Sequence, residues 1–106
     1  MSWDDKKLKV LCREFRKGML ARMSSKGKCA MVTWALQGFI SFATGIQTTV
    51  YESSVGEWNH LYLVMPDGRV IDCTGDQFNP KGKRKYLQVY IGEPLDIHEG
   101  GKPYGR

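Results

Sequence analysis

Three residue types capable of nucleophilic acyl chemistry occur in order along this chain: Cys29, His60 and Asp72. A thiolate attacks an acyl carbon, an imidazole moves the proton, and a carboxylate holds the imidazole in one tautomer. Cys29 stands in Ser-Ser-Lys-Gly-Lys-Cys, residues 24–29, where the chain changes from loop-like to helical composition. In the first turn of a helix, unpaired amides and the helix dipole favour a thiolate, and Lys26 and Lys28 add positive charge nearby. Gly27 gives the backbone freedom to open the thiol to a cleft and to leave an amide for an oxyanion. The other cysteines, Cys12 and Cys73, read as buried apolar fillers.

The histidine and the aspartate belong to one hairpin, Trp58-Asn-His-Leu-Tyr-Leu-Val-Met-Pro-Asp-Gly-Arg-Val-Ile-Asp72. Pro66-Asp67-Gly68 is a turn in which proline fixes φ, aspartate bonds its own backbone and glycine takes the left-handed conformation. A three-residue loop pairs Met65 with Arg69, so Tyr62 faces Asp72 and His60 faces Thr74. His60, Tyr62, Val70 and Asp72 then share one face, with His60 and Asp72 diagonal at roughly 7–8 Å between backbones. A two-residue loop would put them on opposite faces.

The elements that must carry these residues are legible in the hydrophobic pattern. Leu8, Leu11, Phe15, Met19 and Met23 recur at helical steps between residues 5 and 23, behind Asp4 and Asp5 at the start. A second helix is expected from about Lys28 to Phe42, with Gly45 as its stop. Beyond residue 45 the β-branched and aromatic runs 47–51, 58–65, 69–74 and 86–91 read as strands. Helices followed by strands imply an α+β fold, N-terminal helices packed on a mostly antiparallel sheet of about four strands. His98 to Arg106, rich in glycine, reads as a flexible tail.

With 106 residues the chain makes one compact domain, 1–106. Its composition, 42% hydrophobic and 25% charged, is that of a globular protein, and no apolar run suits a membrane span. The first residues lack the order of a signal peptide, so a cytoplasmic location is expected and a disulfide framework is not. There is no CxxC pair or two-histidine helical motif, and His60 and His98 lie far apart in sequence, so neither a metal nor an organic cofactor is expected. The net charge of +5 includes Lys81, Lys83, Arg84 and Lys85, which supports nucleic-acid binding only weakly, because no nucleic-acid motif accompanies it.

Gly-Lys-Cys29 at a helix start, a strand bearing His60 and Asp-Gly-Arg-Val-Ile-Asp72 on the next resemble the transglutaminase-like branch of the papain-like cysteine-enzyme superfamily. Pro66-Asp-Gly-Arg-Val-Ile-Asp-Cys-Thr-Gly-Asp-Gln-Phe78 is similar to the motif that ends this core in small bacterial and phage proteins of the group. The resemblance covers roughly residues 24–91. It implies a Cys29 nucleophile, a His60 base and an orienting Asp72, with Thr74 and Gln77 holding the following loop and Phe78 packing. No glutamine stands upstream of Cys29 where papain-type peptidases keep an oxyanion donor. The candidates for that role and for substrate contact are Gly27, Asn59, Tyr62, Trp58 and Gln77.

The implied activity is cysteine-dependent hydrolysis or acyl transfer, of peptidase, amidase, deamidase or transglutaminase type, on an amide or thioester. A peptide or protein substrate fits a chain too short for long specificity loops, and a protein partner could complete the site. The competing reading is a catalytically inactive phage or bacterial binding module that engages a host protein through Lys81–Lys85, Trp58, Tyr86 and Tyr90.

Overall fold

A computed structural model describes residues 4–21 and 24–105. Helix α1, Asp5–Leu20, starts where the Asp4 carboxylate accepts the Lys7 amide at 2.8 Å, satisfying one of the orphan donors of its first turn. It ends at Leu20, three residues before the expected limit, with Ala21 at φ 49°; Met23 lies outside the described residues. Helix α2, Cys29–Thr44, carries no charged residue and stops at Gly45, whose φ of 77° is the left-handed cap that glycine takes without strain.

Five antiparallel strands follow: β1 Thr49–Val55, β2 Trp58–Val64, β3 Val70–Asp72, β4 Tyr90–Gly92 and β5 Lys102–Pro103. Their order across the sheet is β4-β3-β2-β1-β5. The β2–β3 register pairs Leu63 with Ile71 and Val64 with Val70, as the three-residue loop requires. Met65 donates its amide to the Arg69 carbonyl, and Gly68, at φ 92°, donates to Met65.

Alternation divides the sheet into two different faces. Leu61, Leu63, Met65 and Ile71 point into the main core with Leu8, Cys12, Val32, Leu36 and Ile40 from the helices. His60, Tyr62 and Asp72, also buried, belong to the other set.

Two strands depart from expectation. The run 86–91 pairs only from Tyr90, because side chains take the earlier backbone groups: Asn79 accepts the Tyr86 amide and donates to the Tyr86 carbonyl, and Arg16 donates to the Gln88 carbonyl. The segment read as a flexible tail is instead ordered, and that expectation is corrected. After a short turn at Asp96–His98, β5 pairs Lys102 with Glu52 and Pro103 with Tyr51. Ser53 donates to the Ile97 carbonyl at 2.6 Å and Tyr104 donates its amide to the Val50 carbonyl, so the segment lies as a strap across β1. No helix among the described residues is long and apolar enough to cross a membrane.

Candidate active site

The loop before α2 is anchored by residues 50 and 51 positions further along the chain. In the 3-10 turn Gly75–Phe78, Asp76 takes both guanidinium nitrogens of Arg16, at 2.9 and 3.0 Å, and also accepts the Ser25 hydroxyl at 2.8 Å. Gln77 accepts the Gly27 amide at 3.2 Å through its side-chain oxygen. Two neighbouring side chains of one turn therefore hold the loop that delivers Cys29. The Gly27 amide, expected to be free for an oxyanion, is engaged by Gln77. Burial closes the Gln77 Nε2 away and leaves it without a partner, which suits a brace for the loop better than a donor to substrate.

Cys29 is the first residue of α2 and is half-buried; its sulfur lies 3.8 Å from the Asn59 carbonyl oxygen. The amides of Cys29, Ala30 and Met31 precede the first helical bond, from the Val32 amide to the Lys28 carbonyl. Burial alone would raise the Cys29 pKa. The neighbouring His60 side chain, with the Leu61 and Ala30 amides, outweighs burial and lowers it. Cys73 is the opposite case, since its contact with Cys12 and its full burial push its thiol well up.

Asp72 and two histidines lie behind Cys29. His60 is 0% exposed, Asp72 1% and His98 3%. His60 Nε2 meets Asp72 Oδ2 at 2.6 Å, which leaves Nδ1 as the nitrogen available to Cys29; Nδ1 is buried and has no close hydrogen-bond partner. His98 Nε2 meets the same oxygen at 2.7 Å, and Asp72 Oδ1 accepts the Thr74 amide at 3.0 Å. Burial works to neutralise Asp72, but the hydrogen bonds from His60 and His98, with the charge of His60, hold its carboxyl well below the usual range. Burial also disfavours charge on His60, yet its bonds to Asp72 and Cys29 and the charges of those groups raise it to about 9. The edge of Phe78 packs on the His60 ring, 4.9 Å between centroids.

The chain matches no family model, no curated protein and no solved structure.

Of the other expected contacts, Trp58 is 71% exposed and Asn59 is exposed beside the thiol. Tyr62 is not available to an oxyanion: its hydroxyl is buried and donates to the His98 carbonyl at 3.2 Å. Burial, followed by the nearby charges of Asp72 and Tyr51, raises the Tyr62 pKa to about 12.

Sequence reasoning missed His98, which it placed at the start of a flexible tail. A signal was present in Leu95-Asp-Ile-His98, where apolar residues continue after the last expected strand. Ile97 is indeed buried.

Two histidines and an aspartate with ligand atoms within 4.8 Å also resemble a metal-binding set. The hydrogen bonding of His98 opposes that use. Its Nδ1 accepts the Leu95 amide at 2.9 Å, so the proton of the neutral ring is on Nε2, the atom that would have to ligate. Moving that proton to Nδ1 would set two N–H donors against each other. Nor is His60 arranged as a ligand, with Nε2 given to Asp72.

Proposed function

We propose that this protein is a cysteine-dependent acyl-transfer enzyme, a hydrolase or transferase acting on an amide or thioester, with Cys29 as nucleophile. The observation that supports the reading most directly is His60: a buried carboxylate holds its Nε2, which leaves the buried, unbonded Nδ1 for the Cys29 thiol, whose pKa the His60 side chain lowers. The transglutaminase-like resemblance is in keeping with this arrangement.

In the resting site the proton sits on His60 and Cys29 is a thiolate. The sulfur attacks the acyl carbon, forming the C–S bond and an oxyanion, for which the amide of Cys29 at the start of α2 is a suitable donor. Collapse expels the leaving amine or thiol, which takes the proton from His60 Nδ1. A water molecule or an acceptor amine then attacks the thioester, giving its proton to His60 and restoring the thiolate. Asp72 stays ionised throughout and holds the imidazolium. The exposed rim at Trp58 and Asn59 suits an extended peptide or a side chain on a protein surface.

The test is cysteine alkylation by iodoacetamide, followed by mass spectrometry across pH in the wild type and in His60→Ala. Cys29 is expected to react well below the usual thiol range of about 8.5 and to lose that advantage in the variant. If Cys29 is no faster than Cys12 or Cys73, the acyl-transfer reading fails and the binding-module reading, through Lys81–Lys85 and Trp58, replaces it.

A further inference from the structure

His98 is chemically placed for more than packing. It reaches Asp72 from the C-terminal strap, 26 residues away in sequence, and gives its Nε2–H to the oxygen that already receives His60. The Leu95 amide fixes its tautomer. Its backbone is also tied down, because the His98 carbonyl accepts both the Tyr62 hydroxyl at 3.2 Å and the Gly101 amide at 3.1 Å. The ring lies 4.4 Å from the Tyr62 ring and 6.3 Å from that of Tyr90, between centroids.

A fully buried carboxylate needs donors if it is to remain charged. Asp72 has three, and only His60 has a proton-transfer partner. Accepting a second proton would cost His98 its bond from Leu95, so the hydrogen bonding favours a permanent neutral donor. A second imidazolium would compete with His60 for the same carboxylate, whereas a neutral N–H stabilises the charge without drawing the proton.

We propose that His98 is a positioning residue of this site, a locked neutral imidazole that keeps Asp72 ionised and aimed at His60, so that activation of Cys29 requires the docked C-terminal strap. The proposal rests on the acyl-transfer reading and extends the active apparatus to residues 95–104. The surrounding titratable groups leave the carboxylate as the local charge for His60 to answer. Cys29 approaches from α2, Tyr62 from β2, Tyr51 from β1, Tyr90 from β4 and Cys73 from beyond β3, while Arg16 of α1 and Asp76 pair with each other.

The experiment compares Cys29 alkylation against pH in the wild type, His98→Ala and His98→Gln, together with ¹⁵N NMR of the wild-type imidazoles. Removing the donor in His98→Ala is expected to raise the midpoint for Cys29 by about one pH unit, a roughly tenfold loss of rate at about pH 6. Glutamine carries an N–H near the position of Nε2, so His98→Gln is expected to recover part of that rate. The nitrogen shifts are expected to show His98 protonated on Nε2 and unprotonated on Nδ1 through the range in which Cys29 titrates.

A fast wild-type Cys29 with an unchanged His98→Ala profile overturns the proposal and leaves the triad standing. A doubly protonated His98, or one carrying its proton on Nδ1, overturns it even if neither variant folds. A slow wild-type Cys29 removes the acyl-transfer reading and with it any role of His98 in activation.

Discussion

Asp72 and Asp76 stand one turn of chain apart and do opposite things. Asp76 lies in partial contact with solvent and takes a guanidinium on both oxygens, together with the Ser25 hydroxyl. Arginine keeps its charge at every pH at which the protein folds, so this pairing is a clamp. Asp72 is buried, and its side-chain partners are imidazoles, of which His60 is free to change its protonation. The difference teaches which part of the molecule can move a proton and which holds the parts in place. Arg16 also donates to the Cys73 carbonyl at 2.7 Å and to the Gln88 carbonyl, joining α1 to both ends of the segment between β3 and β4.

Substituting each aspartate by asparagine breaks the comparison most directly. Asp72→Asn removes the charge beside His60 and permits the wrong tautomer; under the proposed acyl-transfer function a loss of rate of about 10⁴-fold is expected. Asp76→Asn keeps an acceptor for Ser25 but loses the bidentate pair with Arg16. About 2–3 kcal/mol of stability is expected to go, read as a lower urea midpoint. The pH profile of Cys29 alkylation should keep its position. If Asp76→Asn moved that profile as far as Asp72→Asn, the division into clamp and proton-handling group would be wrong.

The strap provides the next test. A Cβ on Gly101 would run into the Tyr62 hydroxyl and lie 2.9 Å from the His98 carbonyl. Gly101→Ala must therefore displace either the tyrosine or the strap, a cost of about 1–3 kcal/mol. Gly18→Ala is the control, since a Cβ there meets no neighbouring atom within 4 Å and alanine favours the helix. Thermal melts of the two variants should shift in opposite directions.

Stability against pH separates the two aspartate clusters more gently. The His60 pKa is raised on folding from its ordinary value of about 6.5 to about 9. Its contribution is therefore complete below the unfolded value and is lost as pH climbs through about 9. Asp72 has the opposite sign: its contribution is present above the ordinary carboxylate range and is lost only as strongly acid pH protonates it in the folded state. A stability plateau with a decline from about pH 7 to 9 is expected. His60→Ala should flatten that alkaline decline, and Asp76→Asn should leave its shape intact at a lower level.

How much of this was legible beforehand depends on the range of the interaction. Pro66-Asp67-Gly68 sets the β2–β3 register locally, and from it follow the shared face of His60 and Asp72. Helical spacing with Gly45 likewise marks α2 and puts Cys29 in its first turn. What could not be read depends on side chains meeting backbone far away. Asn79 replaces a strand partner for Tyr86, Gln77 occupies the Gly27 amide, and Tyr62 bonds the His98 carbonyl. His98 itself sits in a glycine-rich stretch without periodicity, and only the packing of the strap against β1 brings it to Asp72.

The smallest expected effect is at Thr74, beside the carboxylate that matters most. Its amide donates to Asp72, but its side-chain hydroxyl is buried and has no partner, so the side chain bears the desolvation cost without a compensating bond. Valine has a similar shape and leaves the amide in place. Thr74→Val is therefore expected to be neutral or stabilising by up to about 1 kcal/mol in urea melts, with Cys29 alkylation unchanged. A loss of more than that, accompanied by slower alkylation, would show that the hydroxyl belongs to the Asp72 network and that its charge depends on one more donor than the two imidazoles and the Thr74 amide.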